Sequence, residues 1–169
     1  TVELPRRNLS KADVEDALKE AAAYREKYET LLAEINANPA IREQPRWYVN
    51  ITHTYRRMCW YEGVAERYEL EQRQPLHPVE LHVIRLGDMA FATNPFEYYL
   101  DFGMYIKARS RAVQTFLMQL TGPGTYVPSQ RSISGGGYGS VPASTPIGPE
   151  GGRRLAERTV EVIGELWEG

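Results

Sequence analysis

The spacing of apolar residues predicts a long helical hairpin in the first part of the chain, residues 1–75. Ser10 followed by Asp13 three positions later is a helix-start signal. The apolar residues after it recur at steps of three and four, as along one face of a helix. They are Val14, Leu18, Ala21, Tyr28, Leu32 and Ile35. A second helical pattern runs from about Tyr48 to Glu71, and a Pro-containing loop joins the two. An antiparallel pair of helices is the simplest arrangement.

Residues 76–169 change to short apolar runs, which predict a small sheet with flanking helices. The runs Leu81–Leu86 and Met89–Thr93 flank Gly87-Asp88, a dipeptide suited to a tight hairpin turn. Asn94-Pro95 follows, and Asn favours a helix N-cap while Pro favours the first helical position. We therefore expect a helix from about Pro95 to Ala108, with Glu97 in its first turn.

A third apolar run, Thr115–Leu120, predicts another strand, and a last helix should begin after Gly148-Pro149 and be anchored by Trp167. The loop between them, Thr121–Gly148, is rich in Gly, Pro and Ser. Loops of this length in a compact domain are usually functional or disordered. Ligand sites of open α/β sheets lie at the ends of strands. We therefore expect any functional site of this chain in the loop that follows this strand. The fold class is α/β or α+β, as a helical hairpin followed by a small sheet with flanking helices.

Composition limits the classes of function. Of the 169 residues, 42% are hydrophobic and 25% charged, which is ordinary for a globular protein. The net charge of −2 argues against a nucleic-acid-binding protein. No apolar run approaches the ~20 residues of a membrane-spanning helix. The chain begins at Thr1 without an initiator Met, so we expect a mature product or a part of a longer chain.

Side-chain chemistry alone assigns no site. His53, His77 and His82 form no helical pair with metal-ligand spacing, so structural roles are favoured. Cys59, the single cysteine, lies in an aromatic helical segment and is expected to be a packed thiol. An acidic residue such as Glu97 in the first turn of a helix is favoured by the helix dipole alone, so its presence there needs no functional explanation.

Three ordered motifs do resemble a known family. GDMAFATNPFE is followed about thirty residues later by TYVPSQRSISGGGYG, and then by IGPEGG. This order is similar to the C-terminal part of the catalytic region of neutral/alkaline (non-lysosomal) ceramidases, in particular bacterial ceramidase-like members. The resemblance covers roughly Glu80 to Trp167.

The resemblance implies a zinc-dependent hydrolase that cleaves N-acyl amides such as ceramide, and thus a role in sphingolipid metabolism. In that family, upstream histidines and a Glu and a Tyr from the C-terminal portion bind the zinc ion. The Glu of the Pro-x-Glu turn corresponds to Glu97, and the loop tyrosine corresponds to Tyr126. The resemblance places four further residues in the substrate-binding or site loop: Asn94, Gly124, Gly137 and Tyr138.

The upstream histidine motif and the catalytic-serine region of the family have no match in this chain. We therefore expect residues 76–169 to be a strand-helix-strand-loop-helix portion of a larger catalytic domain, inactive alone. Zinc would bind only with the missing upstream ligands. The expected partners are the upstream part of the same hydrolase and, through the exposed docking surface, a second copy of the chain. Family members are often secreted or membrane-associated, but this chain does not indicate its compartment.

Two other hypotheses remain open. The chain could be a non-catalytic interaction module, in which the aromatic hairpin and the glycine-rich loop bind a partner. It could also be a diverged hydrolase of the same scaffold acting on a substrate other than ceramide. Paired histidines encoded upstream would favour a hydrolase, and their absence would favour the interaction module.

Overall fold

The computed structural model describes residues 1–168 and divides into two compact units. One comprises Leu9–Leu70, and the other comprises Thr1–Asn8 together with the chain from Glu71 onward. The α+β class is confirmed: long helices occur with small sheets that contain both antiparallel and parallel strand pairs. None of the helices in residues 1–168 is long and apolar enough to cross a membrane.

The first helix, α1 (Lys11–Ala37), begins where the sequence predicts. The backbone N–H of Asp13 donates to Ser10 Oγ at 3.1 Å, and the backbone N–H of Ser10 donates to Asp13 Oδ2 at 2.8 Å. This reciprocal capping box satisfies two backbone donors at the helix start.

The helices of the hairpin are antiparallel, as predicted. After a short 3₁₀ segment at Pro39–Glu43, α2 spans Tyr48–Arg73. Aromatic rings join α1 to α2 at two levels: Tyr24 stacks on Tyr61 with centroids 5.8 Å apart, and Tyr28 lies 5.3 Å from Tyr55. Higher residue numbers on one helix meet lower numbers on the other, which is the signature of antiparallel packing.

Cys59 is exposed on α2, so the prediction of a packed thiol is wrong. The aromatic residues around it in the sequence do not enclose it, because neighbours along a helix point to different faces.

The second unit is built from short strands and three helices. Its strands are β1 (Val2–Pro5), β2 (Leu76–Val79), β3 (Val83–Leu86), β4 (Met89–Thr93), β5 (Glu97–Tyr98), β6 (Gln114–Met118) and β7 (Tyr126–Val127). Its helices are α3 (Leu100–Arg109), α4 (Gln130–Ser134) and α5 (Pro149–Glu165). The strands form three small sheets with the orders β1-β2, β3-β4-β6 and β5-β7.

The three-stranded sheet confirms the predicted hairpin. Strands β3 and β4 are antiparallel and are joined by the turn at Gly87-Asp88, whereas β4 and β6 are parallel with α3 between them in sequence. One face of the sheet carries Ala90, Ala92 and Thr115, which are almost fully buried. Helices α3 and α5 belong to the same core, which includes Phe102, Ile106, Leu155 and Ile163.

The opposite face of this sheet is apolar and exposed. Ile84, Phe91 and Phe116 are register partners on three adjacent strands, so their side chains share that face. The rings of Phe91 and Phe116 stack with centroids 4.9 Å apart. Four of its side chains are exposed: Ile84 at 59%, Leu86 at 61%, Phe116 at 41% and Met118 at 39%. We call this surface the open sheet face.

The predicted helix from Pro95 to Ala108 is wrong at its start. Asn94 does not cap a helix; its Oδ1 accepts a hydrogen bond from the backbone N–H of Phe96 at 2.9 Å, which forms a local turn. Glu97 therefore belongs to the short strand β5 rather than to a first helical turn, and α3 begins at Leu100.

Candidate functional site

Glu97 and Tyr126 lie directly opposite each other on neighbouring parallel strands. They are register partners in the β5-β7 pair. The backbone N–H of Glu97 donates to the carbonyl of Thr125 at 3.0 Å, and the N–H of Tyr99 donates to that of Val127 at 3.3 Å. The structure thus brings together the two residues that the resemblance pairs as ligands.

Strand alternation sends both side chains away from the core. The next register pair, Tyr98 and Val127, is 8% and 0% exposed and belongs to the hydrophobic core. Successive side chains of a strand point to opposite faces. The side chains of Glu97 and Tyr126 therefore both lie on the face that points away from the core, where Glu97 is exposed and Tyr126 is partly buried.

The two side chains are electrostatically linked. The negative charge of Glu97 raises the pKa of the Tyr126 phenol above its usual value, and partial burial and Tyr138 add to the shift. A neighbouring negative charge disfavours phenolate because it would create two like charges. Tyr126 therefore keeps its proton at neutral pH.

Asn94 holds the segment before Glu97 and does not form part of the pair. Its side chain is 4% exposed and closes the turn to Phe96. Its backbone N–H donates to the carbonyl of Met118 at 2.9 Å, and its carbonyl accepts from the N–H of Thr121 at 3.1 Å. Asn94 thus ties the end of β4 to the end of β6 and fixes where β5 begins.

Because Gly124 has no side chain, the backbone before Tyr126 can pack closely against the backbone before Glu97. A Cβ atom at Gly124 would lie 1.8 Å from the carbonyl oxygen of Pro95. No side chain fits there without moving backbone. This close approach allows the backbone contact between Thr125 and Glu97.

The glycine-rich loop packs on the Tyr126 ring. The ring of Tyr138 meets it edge-on, with centroids 5.8 Å apart and planes at 85°. A Cβ atom at Gly139 would lie 2.8 Å from Tyr126 Cγ and 2.8 Å from Tyr99 Oη, whereas one at Gly137 would lie 3.5 Å from Tyr99 Oη. Of the predicted loop residues, Tyr138 is therefore a neighbour of Tyr126, whereas Gly137 lies next to Tyr99.

Tyr99 and Ser140 also belong to this cluster, and the sequence interpretation missed both. Ser140 Oγ and Tyr99 Oη are 3.2 Å apart and hydrogen-bonded. Tyr99 follows Glu97 by two residues, so a strand interpretation of this segment would have placed both side chains on the same side. The interpretation of this segment as a helix starting at Pro95 placed Glu97 and Tyr99 on different faces, so the proximity of the two residues was missed.

The described residues do not form a complete metal site by themselves. In residues 1–168 no group of three His, Cys, Asp or Glu side chains is placed to hold a metal ion. Glu97 and Tyr126 offer two oxygen donors, and a carboxylate is an ordinary zinc ligand. Zinc sites use three or four protein ligands, so the pair fits as part of a donor set but not as a complete one.

Comparison of the chain with protein-family models, with curated proteins and with solved structures found no match. The resemblance to ceramidases remains a prediction.

Proposed function

We propose that this chain is the C-terminal portion of a zinc-dependent amide hydrolase similar to the neutral ceramidases. In this proposal Glu97 and Tyr126 are two of the zinc ligands, and the substrate is an N-acyl amide such as ceramide. The observation that carries it is the register pairing of Glu97 with Tyr126. Two residues about thirty positions apart, matched to ligands by motif, lie side by side with oxygen-bearing side chains on one face.

The chain's own residues hold the two donors in place. Asn94 and Gly124 fix the turns that precede the donors, and the ring of Tyr138 contacts the ring of Tyr126. The phenol is protonated while Glu97 is its nearest charge. A cation between the two side chains would favour phenolate, because an opposite charge stabilises the ionised form. Zinc, when bound, would activate a water molecule by lowering its pKa to about 7.

The open sheet face supports the proposal that further polypeptide belongs to this site. Large exposed apolar surfaces on a folded chain mark interaction sites. Ile84, Leu86 and Phe116 are exposed together on this one face. We propose that the upstream part of the hydrolase, which would carry the remaining zinc ligands, packs on this face. The chain alone would then be inactive.

A non-catalytic interaction module is the second candidate, and the open sheet face is also the observation that favours it. Such a module would bind its partner through this face, and Glu97 and Tyr126 would have no ionic ligand. The two candidates differ in whether a metal ion perturbs Tyr126.

Zinc titration followed by near-ultraviolet absorbance separates them. Under the hydrolase proposal, zinc ionises Tyr126 at high metal concentration, and the tyrosinate signal disappears in Tyr126→Phe and Glu97→Gln. Tyr48→Phe is the control, because Tyr48 is exposed on α2 in the other unit. A signal that persists in both site variants, or no signal at saturating zinc, would contradict the proposed ligands.

Calorimetry gives an independent check on the incomplete donor set. Two oxygen donors should bind zinc weakly, so the isolated chain should show no sub-micromolar zinc affinity. Tight binding by the chain alone would contradict the proposal that ligands are missing.

In the full-length protein, Glu97→Ala and Tyr126→Phe should abolish amide hydrolysis without unfolding the chain. Unchanged turnover would remove both residues from the site.

A further inference from the structure

A cavity of about 360 Å³ lies within the sheet unit. Three chain segments enclose it: residues 77–82, residues 93–96 and residues 121–123. Much of its lining consists of rigid rings, which are those of His77, Pro78, His82, Pro95, Phe96 and Pro123. Proline fixes its own backbone torsion φ, so these walls are largely preformed. Volumes of this size suit a small molecule.

His77 is a polar, partly buried group in the lining of this cavity, and its ring nitrogens have unused hydrogen-bonding capacity. It is partly buried on β2, and its ring centroid lies 6.4 Å from that of Phe96. Within residues 1–168, no side chain or backbone group hydrogen-bonds to its ring nitrogens. Burial, and secondarily the positive charge of Arg6, lower the pKa of His77 below its usual value. The imidazole is therefore neutral at pH 7 and offers one donor and one acceptor.

The same surroundings disfavour a charged ligand group beside His77. Desolvation that destabilises an imidazolium ion also destabilises any other unpaired charge at that position. The nearest charges on the adjoining strand and turn, Glu3 and Arg6, have opposite signs and act on His77 in opposite directions. Glu80 lies 3.6 Å from the His82 imidazole, and both side chains are largely exposed, so they belong to the mouth of the cavity.

We propose that this cavity binds a small neutral molecule with an apolar body and one hydroxyl group, which hydrogen-bonds to the His77 imidazole. The rings and Val79 contact the apolar body, and the unused imidazole nitrogen accepts or donates the hydrogen bond. The site is separate from Glu97 and Tyr126 and does not depend on the proposed hydrolase activity. It requires only the folded chain.

Two probes of nearly equal shape test the proposal on the 169-residue chain. Benzyl alcohol carries the hydroxyl group, and toluene lacks it. Binding is followed by NMR chemical shifts of Phe96 and His77. Benzyl alcohol should bind roughly tenfold more tightly than toluene, which is the size of effect expected for one partly buried hydrogen bond. Equal affinities, or shifts confined to Phe116 on the open sheet face, would overturn the proposal.

The His77→Phe variant tests the imidazole itself. It keeps a ring of similar size and removes both nitrogens, so the preference for benzyl alcohol over toluene should disappear. His53→Phe is the matched control, because His53 is exposed on α2 and does not line the cavity. A preserved preference in His77→Phe would overturn the role of His77. If His77→Phe does not fold, the comparison of the two probes on the unmodified chain still decides.

Discussion

Gly139 lies against the ring of Tyr126, so closely that a Cβ atom at Gly139 would be 2.8 Å from Tyr126 Cγ. The same atom would lie 2.8 Å from Tyr99 Oη. The glycine-rich loop therefore packs directly against the Tyr126 ring. Any side chain at position 139 would displace the ring of Tyr126 or of Tyr99.

Gly139→Ala should displace the ring of Tyr126 or of Tyr99 and so disturb the position of the Tyr126 side chain beside Glu97. We expect a loss of stability of about 1–3 kcal/mol, typical of overpacking a tight contact, and a weaker response of Tyr126 absorbance to zinc. Gly135→Ala is the control, because a Cβ there would meet its nearest neighbour at 3.6 Å. Denaturant unfolding and the zinc titration measure the two effects. Equal stability and equal zinc response of the two variants would show that the contact between Gly139 and Tyr126 does not position the Tyr126 ring.

Gly124→Ala should be more damaging, because the clash is with backbone. A Cβ atom 1.8 Å from the carbonyl oxygen of Pro95 forces the segments before Glu97 and Tyr126 apart. We expect a loss of about 3–5 kcal/mol, at the severe end for single substitutions. Gly63→Ala, in the interior of α2 with open space around it, should instead stabilise by about 1 kcal/mol. Chemical denaturation of the three proteins checks both signs.

Glu97→Gln should lower the pKa of Tyr126 towards 10, the ordinary value for tyrosine. The negative charge of Glu97 is the main cause that raises this pKa, and glutamine removes the charge while keeping the shape. NMR titration of tyrosine ring carbons follows the change. Glu80→Gln, which removes a carboxylate elsewhere in the same unit, should leave Tyr126 unchanged. An unaltered Tyr126 titration in Glu97→Gln would mean that the two side chains do not interact in solution.

Stability at alkaline pH should depend on Tyr98. Burial raises the pKa of its phenol well above the usual value, so the folded state binds this proton more tightly than the unfolded state does. The resulting stabilisation is complete below pH ~10, the unfolded pKa, and is lost as pH rises above it. Tyr98→Phe should therefore weaken the fall in stability above pH ~10.

At neutral pH the Tyr98→Phe variant should be as stable as the parent or more stable by about 1 kcal/mol. The buried hydroxyl has no hydrogen-bond partner among residues 1–168, so its removal leaves no group unsatisfied. Unfolding free energies at neutral and alkaline pH measure both effects. A large neutral-pH loss in Tyr98→Phe would show that the hydroxyl has a partner in solution.

The open sheet face should make the isolated chain self-associate. Large exposed apolar surfaces on a folded chain mark interaction sites, and Ile84, Leu86 and Phe116 are 59%, 61% and 41% exposed. Ile84→Lys with Phe116→Lys should reduce association in sedimentation experiments. Leu100→Lys is the control, because Leu100 is also exposed, at 75%, but lies on α3 rather than on this face. A strictly monomeric parent chain would argue against a missing covering layer.

Local signals predicted the parts of the fold that depend on nearby residues. The Ser10–Asp13 capping box and the turn at Gly87-Asp88 formed as expected, because each is decided within a few residues. Strand β1 was not predicted, since its four residues become a strand only by pairing with β2 more than seventy positions later.

The start of the site segment shows why sequence alone was insufficient there. Asn before Pro suits both a helix cap and a local side-chain turn. Pairing of Glu97 with Tyr126 selected the turn, and no short-range pattern contains that information. The motif resemblance nevertheless selected the two residues that the fold brings together, whereas Tyr99 and Ser140 escaped it.

Anomalous diffraction at the zinc edge, from crystals of the chain grown with millimolar zinc, tests the central claim most directly. We expect a zinc peak about 2.0–2.2 Å from a carboxylate oxygen of Glu97, with the Tyr126 hydroxyl as a second ligand. Zinc bound only at other residues, such as His77 or His82, with no peak between Glu97 and Tyr126, would contradict it.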